Sequence, residues 1–506
     1  MKINKIISLL VAMFLIVATI PALNVSAAVS LSTKEQLFIN AVLNGDSSLN
    51  LSGYKMTVNQ LNEAEKKLLY LHPEVWHYYS NCNYNYSGNY VTKITSFNYK
   101  NGYTKSSIKS SLKEIEDLTN PIFAGIKYGW SDVEKALYFH DYICVNYYYD
   151  NEIYGIRENA NFHMYELLTE GKGVCQSYSF LYKYLLDRVG IENYVVVSDI
   201  KDSDHAWNVV NIGGKWYHVD VTYGDPIIAK NKDVTLDFYG QVEHNYFLLS
   251  NSQINDGNHN NWYNPLGTNP VCVDYTGGEL WQNADSAIVY ENGYWYYLDY
   301  DAGGLVRTDD FSRYTYLASL ENKWYKGGNK NSWYYGYYSG IAAYNGRIFY
   351  TDSYRIYSYD IANHNVDQIA YLNTMENGSF FGFVMNGKEM NLLITKDIFN
   401  YYTKGNYSME KYVLCNGGHG DFAAWRVLGN GKIYNCSICG AVFDFTDEIS
   451  GDADGNGKVD TVDLGALKLA LAGVSSCKAL ADMDKNGVVN TTDLANLKLK
   501  LAGIKG

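Results

Sequence analysis

Three residues of different type supply the parts of one reaction: Cys175 in "GKGVCQSYSFLYKYLL" (171–186), His205 in "HAWN" (205–208) and Asp220 in "WYHVDVTYGDP" (216–226). A thiol attacks an amide carbonyl only as its thiolate, and a neighbouring imidazole both stabilises that anion and exchanges protons with it. A carboxylate on the imidazole's second nitrogen fixes the tautomer and steadies the cation. Together the three predict nucleophilic acyl transfer, provided the fold brings them within contact.

The elements around them have the pattern to do so. Tyr178, Leu181, Leu185 and Leu186 recur at helical spacing, so Cys175 falls in the first turn of a helix. There the positive end of the backbone dipole favours the thiolate, and unpaired N–H groups face any oxyanion. A buried strand, "YVVVS" (194–198), precedes a hairpin over 204–226 that turns at Gly213-Gly214. A two-residue loop pairs Ile212 with Lys215. Trp207 then faces Asp220 and His205 faces Thr222, so that His205, Trp207 and Asp220 share one sheet face with Asp220 diagonal to His205. His218 lies on that face opposite Val209 and reads as a packed strand histidine. Asp204 and Asp225 are alternative carboxylates, but both fall in loops, where such residues cap turns.

These motifs resemble the transglutaminase-like superfamily of papain-like fold, through "GxGVCxxY" at 171–178, "HAWN" at 205–208, "WYxVDxTxxDP" at 216–226 and "YFLLS" at 246–250. The likeness covers about residues 126–255. It implies a papain-like core with Cys175 as nucleophile, His205 as general base and acid, and Asp220 as orienting acid. The family transfers acyl groups through a thioester, to water in a peptidase or to a lysine amine in a cross-linking transglutaminase. Its usual Gly-Tyr-Ala after the cysteine is replaced here by Ser177, Tyr178 and Ser179, a change in the cleft wall that leaves specificity open. The calcium sites and large accessory domains of animal cross-linking enzymes are not recognisable, so the resemblance favours a peptidase acting on protein or peptide amides. A catalytically idle adhesion or binding protein is the reading from a different class, and no paired-carboxylate glycosidase site stands out.

Near the C-terminus, "DADGNGKVDTVDLGALKLALAG" from Asp452 recurs as "DMDKNGVVNTTDLANLKLKLAG" from Asp482, identical at 14 of 22 positions. Oxygens at loop positions 1, 3, 5, 9 and 12, with glycine at position 6, select calcium. The expected ligands are Asp452, Asp454, Asn456, Asp460 and Asp463, then Asp482, Asp484, Asn486, Asn490 and Asp493. Position 12 is Asp instead of Glu and no regular helix precedes either loop, as in the type I dockerin, which residues 449–506 resemble. That resemblance implies two calcium ions and a cohesin module of a scaffoldin as partner, contacted through Thr461, Val462, Lys468, Thr491, Thr492 and Lys498. It also implies a secreted enzyme attached to an extracellular, cell-surface, cellulosome-like complex that degrades plant polysaccharide.

The remaining segments are expected to form a multidomain α+β chain. Lys2 and Lys5 before an apolar run and a small-residue exit near Ala27 read as a signal peptide over 1–27. An α+β lead-in domain (28–126) precedes the transglutaminase-like domain (127–267). Residues 268–408 are expected to form a Tyr-rich all-β domain, with Asn-Gly hairpin signals at 292–293 and 345–346 and a fainter one at 386–387, a degenerate repeat that suggests propeller-like blades. Its Trp281, Trp295, Trp324 and Trp333 suit stacking on sugars, although alternating aromatics more often fill sheet faces. Residues 409–448 carry Cys415, His419, Cys436 and Cys439, which suit either a structural zinc ribbon or a Cys436–Cys439 disulfide. The dockerin-like segment takes 449–506. The formal charge of −13 argues against a nucleic-acid partner, and eight cysteines in 506 residues are too few for a disulfide scaffold.

Overall fold

The computed structural model describes residues 29–100, 102–150, 162–198, 204–231, 234–237, 240–326, 329–336, 338–371, 378–387, 389–395, 407–413, 425–428, 433–436, 442–444, 451–454, 459–474, 481, 483 and 489–501. The chain divides into two compact units, Met1–Gly224 with Asn245–Tyr275, and Asp225–His244 with Thr276–Gly506. The signal-peptide expectation lies outside the described residues.

In the first unit, helices α1 (Thr33–Leu43) and α2 (Val58–Leu71) cover a three-stranded antiparallel sheet of β1 (Leu49–Asn50), β2 (Tyr78–Ser87) and β3 (Tyr90–Tyr99), in the order β1-β3-β2. The buried residues of β3, Val91, Ile94 and Phe97, fall every third position along a strand whose pairing with β2 shifts register, and join a core shared with Phe38, Leu61 and Leu68. Helix α3 (Lys105–Gly125) leads into α4 (Asp132–Asn146), which opens with a capping box. Ser131 Oγ accepts from Glu134 N, and the Glu134 carboxylate accepts from Ser131 N at 2.7 Å.

Strands β4 (Tyr148–Tyr149) and β5 (Lys172–Gly173) flank α5 (Met164–Glu170) as a short parallel pair. Helix α6 (Cys175–Arg188) follows, buried along nearly its whole length. It packs on β6 (Asn193–Ser198) and β7 (His205–Ile212), which with β8 (Lys215–Val219) form the centre of a five-stranded antiparallel sheet. Strands β9 (Ile227–Asn231) and β10 (Val234–Asp237) belong to the second unit, whereas β11 (Phe247–Leu249) pairs with β8 and β12 (Trp262–Tyr263) with β6. The lead-in helices hold the back of α6. Tyr70 meets Phe180 edge-on, the Arg188 guanidinium donates to Glu116, and Trp76 stacks on Tyr165 of α5 with ring centroids 3.9 Å apart.

The second unit is dominated by antiparallel meanders. One four-stranded sheet spans Val289–Glu291, Tyr294–Asp299, Gly304–Thr308 and Thr315–Ser319; another spans Ile341–Tyr344, Arg347–Thr351, Arg355–Asp360 and Asn365–Tyr371. Two of the Asn-Gly signals form the expected two-residue turns, pairing Glu291 with Tyr294 and Tyr344 with Arg347; both residues of each turn have positive φ. The third is displaced by one residue, since Asn386 itself pairs with Glu389 and Gly387 opens the turn. Trp281, Trp295 and Trp324 are fully buried and serve the sheet core, while Trp333 is partly exposed. Cys415, His419 and Cys439 lie outside the described residues, and Cys436 ends a strand, Ile433–Cys436.

Candidate active site and acidic loops

Cys175 is the first residue of α6, as its spacing predicts. The serines that replace the expected small residues build the start of this helix. Ser177 Oγ accepts from Val174 N at 2.8 Å and donates to Val174 O at 2.7 Å. Gly173 leaves the room, because a Cβ there would lie 2.1 Å from that hydroxyl. Ser179 Oγ lies 2.7 Å from Cys175 O and 2.9 Å from Ala206 O, and Asn208 Nδ2 returns a bond to Ser179 O at 3.1 Å. These bonds join the cysteine helix directly to the histidine strand.

His205 opens β7. Its Nε2 lies 2.5 Å from Asp220 Oδ2, and the Cys175 side chain is near enough to the ring to raise its titration. Burial pulls the imidazole's titration down, but the Asp220 carboxylate outweighs it, and with Cys175 it pushes His205 up to about 10. Asp220 is fully buried. Burial alone would raise it, yet His205 and the hydrogen bonds it accepts hold it well below the usual carboxylate range.

The hairpin register is as expected from Ile212↔Lys215 to Asn208↔Val219, but β8 then ends. The expected facing pairs Trp207–Asp220 and His205–Thr222 are absent from the ladder. His205 pairs instead with Ser198 on β6, and Asp220 N donates to Tyr246 O. The reason is local: Asp220 Oδ1 accepts from Thr222 N at 2.9 Å and Tyr223 N at 3.1 Å, and this turn leaves the strand. The diagonal contact with His205 survives because Asp220 is the first residue past the ladder. His218 is a packed strand histidine: Trp207 Nε1 donates to its Nδ1 at 3.0 Å, and its Nε2 faces Asn251 Oδ1 at 2.9 Å. Burial lowers its titration to about 4. Asp204 is exposed.

Two residues of the cluster carried no signal in the sequence. His259 is fully buried, with Nε2 2.8 Å from Asp220 Oδ2 and Nδ1 2.8 Å from Asp256 Oδ1. Both come from "NDGNHNN" (255–261), an Asn- and Gly-rich stretch that reads as a plain turn. The Asp-to-His spacing of three is the only hint, and Asp256 does cap that turn through Asn258 N and His259 N.

Cys82, Cys175 and Cys272 are free thiols. Burial pushes Cys82 and Cys272 up to about 12, and the buried Cys144 donates to Val221 O. Cys175 acts on the His205 imidazole and raises its titration.

In the acidic repeat, ligand atoms of Asp452, Asp454 and Asp463 lie within 4.8 Å of one another, with Asp452 and Asp463 fully buried. Carboxylates buried this close suit a hard divalent cation, which offsets their mutual repulsion. Asp463 Oδ1 accepts from Ala453 N and its Oδ2 from Asp460 N; Asp493 does the same with Met483 N and Asn490 N. Asn456, Asp482, Asp484 and Asn486 lie outside the described residues. The helices α7 (Thr461–Leu471) and α8 (Thr491–Leu501) bury Leu467 and Leu497 against each other. Thr461, Val462 and Lys468 on one, and Thr491, Thr492 and Lys498 on the other, are all exposed.

Residues 118–221 match the model of the transglutaminase-like superfamily, and residues 450–502 match that of the type I dockerin domain. The chain carries a transglutaminase-like core and a type I dockerin. The matched core segment takes in Cys175, His205 and Asp220 but ends before His259. Kyphoscoliosis peptidase of Mus musculus is 25% identical over 155 residues, 28% of this chain and 22% of that one. The alignment thus spans about a fifth of that peptidase's length. A solved structure of a TGase is 18% identical over 30% of this chain and 45% of its own, with a TM-score of 0.22.

Proposed function

We propose that this protein is a secreted cysteine peptidase of the transglutaminase-like superfamily, docked by its C-terminal repeat to a cohesin of an extracellular, cellulosome-like complex. The observation that carries the reading is the 2.5 Å contact between His205 Nε2 and Asp220 Oδ2, on a ring whose titration is also raised by a cysteine at a helix N-terminus. Asp220 holds one ring nitrogen, and the other serves the sulfur.

In the reaction the Cys175 thiolate attacks the scissile carbonyl and forms a C–S bond, while backbone N–H groups at the start of α6 receive the oxyanion. As the tetrahedral intermediate collapses, the His205 imidazolium protonates the departing amine and the C–N bond breaks, leaving a thioester. Water then attacks that thioester, giving a proton to His205. Collapse of the second intermediate releases the carboxylic acid product and restores the thiolate–imidazolium pair. Hydrolysis is favoured over lysine cross-linking by the resemblance to peptidases and by the lack of recognisable animal-type accessory domains. Calcium at the two acidic loops, with Asp452, Asp454, Asp460 and Asp463 and their counterparts as ligands, would hold the dockerin in its cohesin-binding form. The Tyr-rich sheets are read as a propeller-like domain with no part in the chemistry.

The test is selective alkylation of Cys175 by iodoacetamide at neutral pH, expected for the intact protein and lost in His205→Ala; equal labelling of both overturns the enzyme reading. Incubation with casein and an amine probe then separates the acceptors: new fragments support the peptidase, and amine incorporation without fragments supports a transglutaminase.

A further inference from the structure

We propose that His259 is a positioning residue of the active site, a second imidazole that shares Asp220 with His205 and sets how strongly the carboxylate acts on the thiolate–imidazolium pair. The inference rests on the cysteine acyl-transfer reading but concerns a residue outside the matched core segment.

Asp220 is surrounded. Its Oδ1 takes two backbone N–H groups, and its Oδ2 faces both His205 Nε2 at 2.5 Å and His259 Nε2 at 2.8 Å. A buried carboxylate is stable only when its lone pairs are met by donors, and an acceptor oxygen shared between two donors acts less strongly on each. His259 therefore neutralises part of the Asp220 charge that His205 would otherwise carry alone. The ring is itself fixed: Asp256 Oδ1 lies 2.8 Å from its Nδ1, and Tyr246 Oη donates to Asp256 Oδ2 at 2.8 Å. Tyr223 and Tyr246 face the ring at 4.8 and 5.0 Å, and Trp207 lies across it at 5.0 Å and stacks on His205. The groups that act on His259 with charge or a titrating proton are thus His205, His218, Asp220, Asp256, Tyr223 and Tyr246. A histidine that merely filled space would not need a carboxylate on each nitrogen.

The sign of the effect follows. Without His259 the Asp220 charge is less satisfied, its negative potential on the pair grows, and the thiolate is less favoured. One hydrogen bond to a charged group corresponds to about one pH unit. The experiment is the rate of Cys175 alkylation by iodoacetamide across a pH series on the full chain, followed by mass spectrometry of the Cys175 peptide. His259→Phe keeps the ring packing and removes both nitrogens. It should move the alkylation midpoint upward by about one pH unit, slowing the reaction about tenfold below that midpoint. His259→Gln, which keeps a donor for Asp220, should recover at least half of the shift. Asp256→Asn, at the half-exposed end of the cluster, should shift the midpoint in the same direction by less, and it carries the test if His259→Phe does not fold.

An unshifted midpoint in the folded phenylalanine variant, or in Asp256→Asn where that variant stands in, overturns the proposal, as does a glutamine variant no better than phenylalanine. His205→Ala separates this failure from that of the underlying reading. Unchanged alkylation in that control removes the triad altogether, whereas lost alkylation beside an unshifted His259→Phe removes only the role of His259.

Discussion

The cysteine–histidine cluster and the acidic repeat both bury carboxylates, but they satisfy them by opposite means. Asp220 is met from within the protein by two imidazoles and two backbone N–H groups drawn from residues 205 to 259. Asp463 takes its backbone donors from its own loop and still lies within 4.8 Å of two other carboxylates, a surplus of negative charge that invites a cation. The first arrangement is self-contained and the second is completed from solution. Chemistry at the cysteine should therefore be indifferent to calcium, while docking should depend on it.

The sharpest way to break this contrast is to remove a member of the self-contained cluster. Cys175→Ala should abolish turnover, and Asp220→Asn should reduce it on the order of 10³–10⁴-fold, measured as casein cleavage, because the imidazole loses its tautomer and orientation. Next in size is calcium removal. A chelator should abolish cohesin binding, read by calorimetry, and melt the helical signal of Thr461–Leu471 and Thr491–Leu501, yet leave the Cys175 alkylation rate unchanged; a parallel loss of alkylation would show the two sites to be linked.

Changing pH separates the regions more finely. His205 is held up at about 10, so its stabilisation is complete below the ordinary histidine value of about 6.5 and is lost as pH rises through 10. Asp220 is held down, so its stabilisation is complete above the ordinary value of about 3.9 and is lost as pH falls. Stability of the first unit should be greatest between about pH 4 and 6.5 and decline on the alkaline side, and Asp220→Asn should flatten that decline in melts followed against pH. The smallest effect belongs to Ser179→Ala, which breaks the tie between α6 and Ala206 O. It should cost about 1 kcal/mol in denaturant unfolding while slowing alkylation only modestly.

The same contrast explains what the sequence revealed. The expected calcium ligands of the dockerin lie within 12 residues of one another and the motif occurs twice, so spacing alone proposes them. Cys175, His205 and Asp220 were legible because a helix start and a tight hairpin place them by local rules, and the register held as far as Asn208↔Val219. The exit of Asp220 from the ladder was not legible, since it depends on its own side chain capping the next turn. Nor was His259, whose approach to Asp220 requires the chain to return across the sheet from a stretch of turn residues. Ser177 and Ser179 looked like departures from a family pattern, and their hydroxyls prove to tie the helix to its own N-terminus and to the neighbouring strand.

The stacking of Trp76 on Tyr165 and the seating of Tyr70 against Phe180 bear on how the enzyme could mature. Cleaving the chain ahead of α4 and releasing what precedes it would strip the back of the cysteine helix and expose large apolar rings to water. The first hundred residues of the folded chain thus serve as a foundation for the nucleophile, and trimming them away would dismantle the catalyst instead of switching it on.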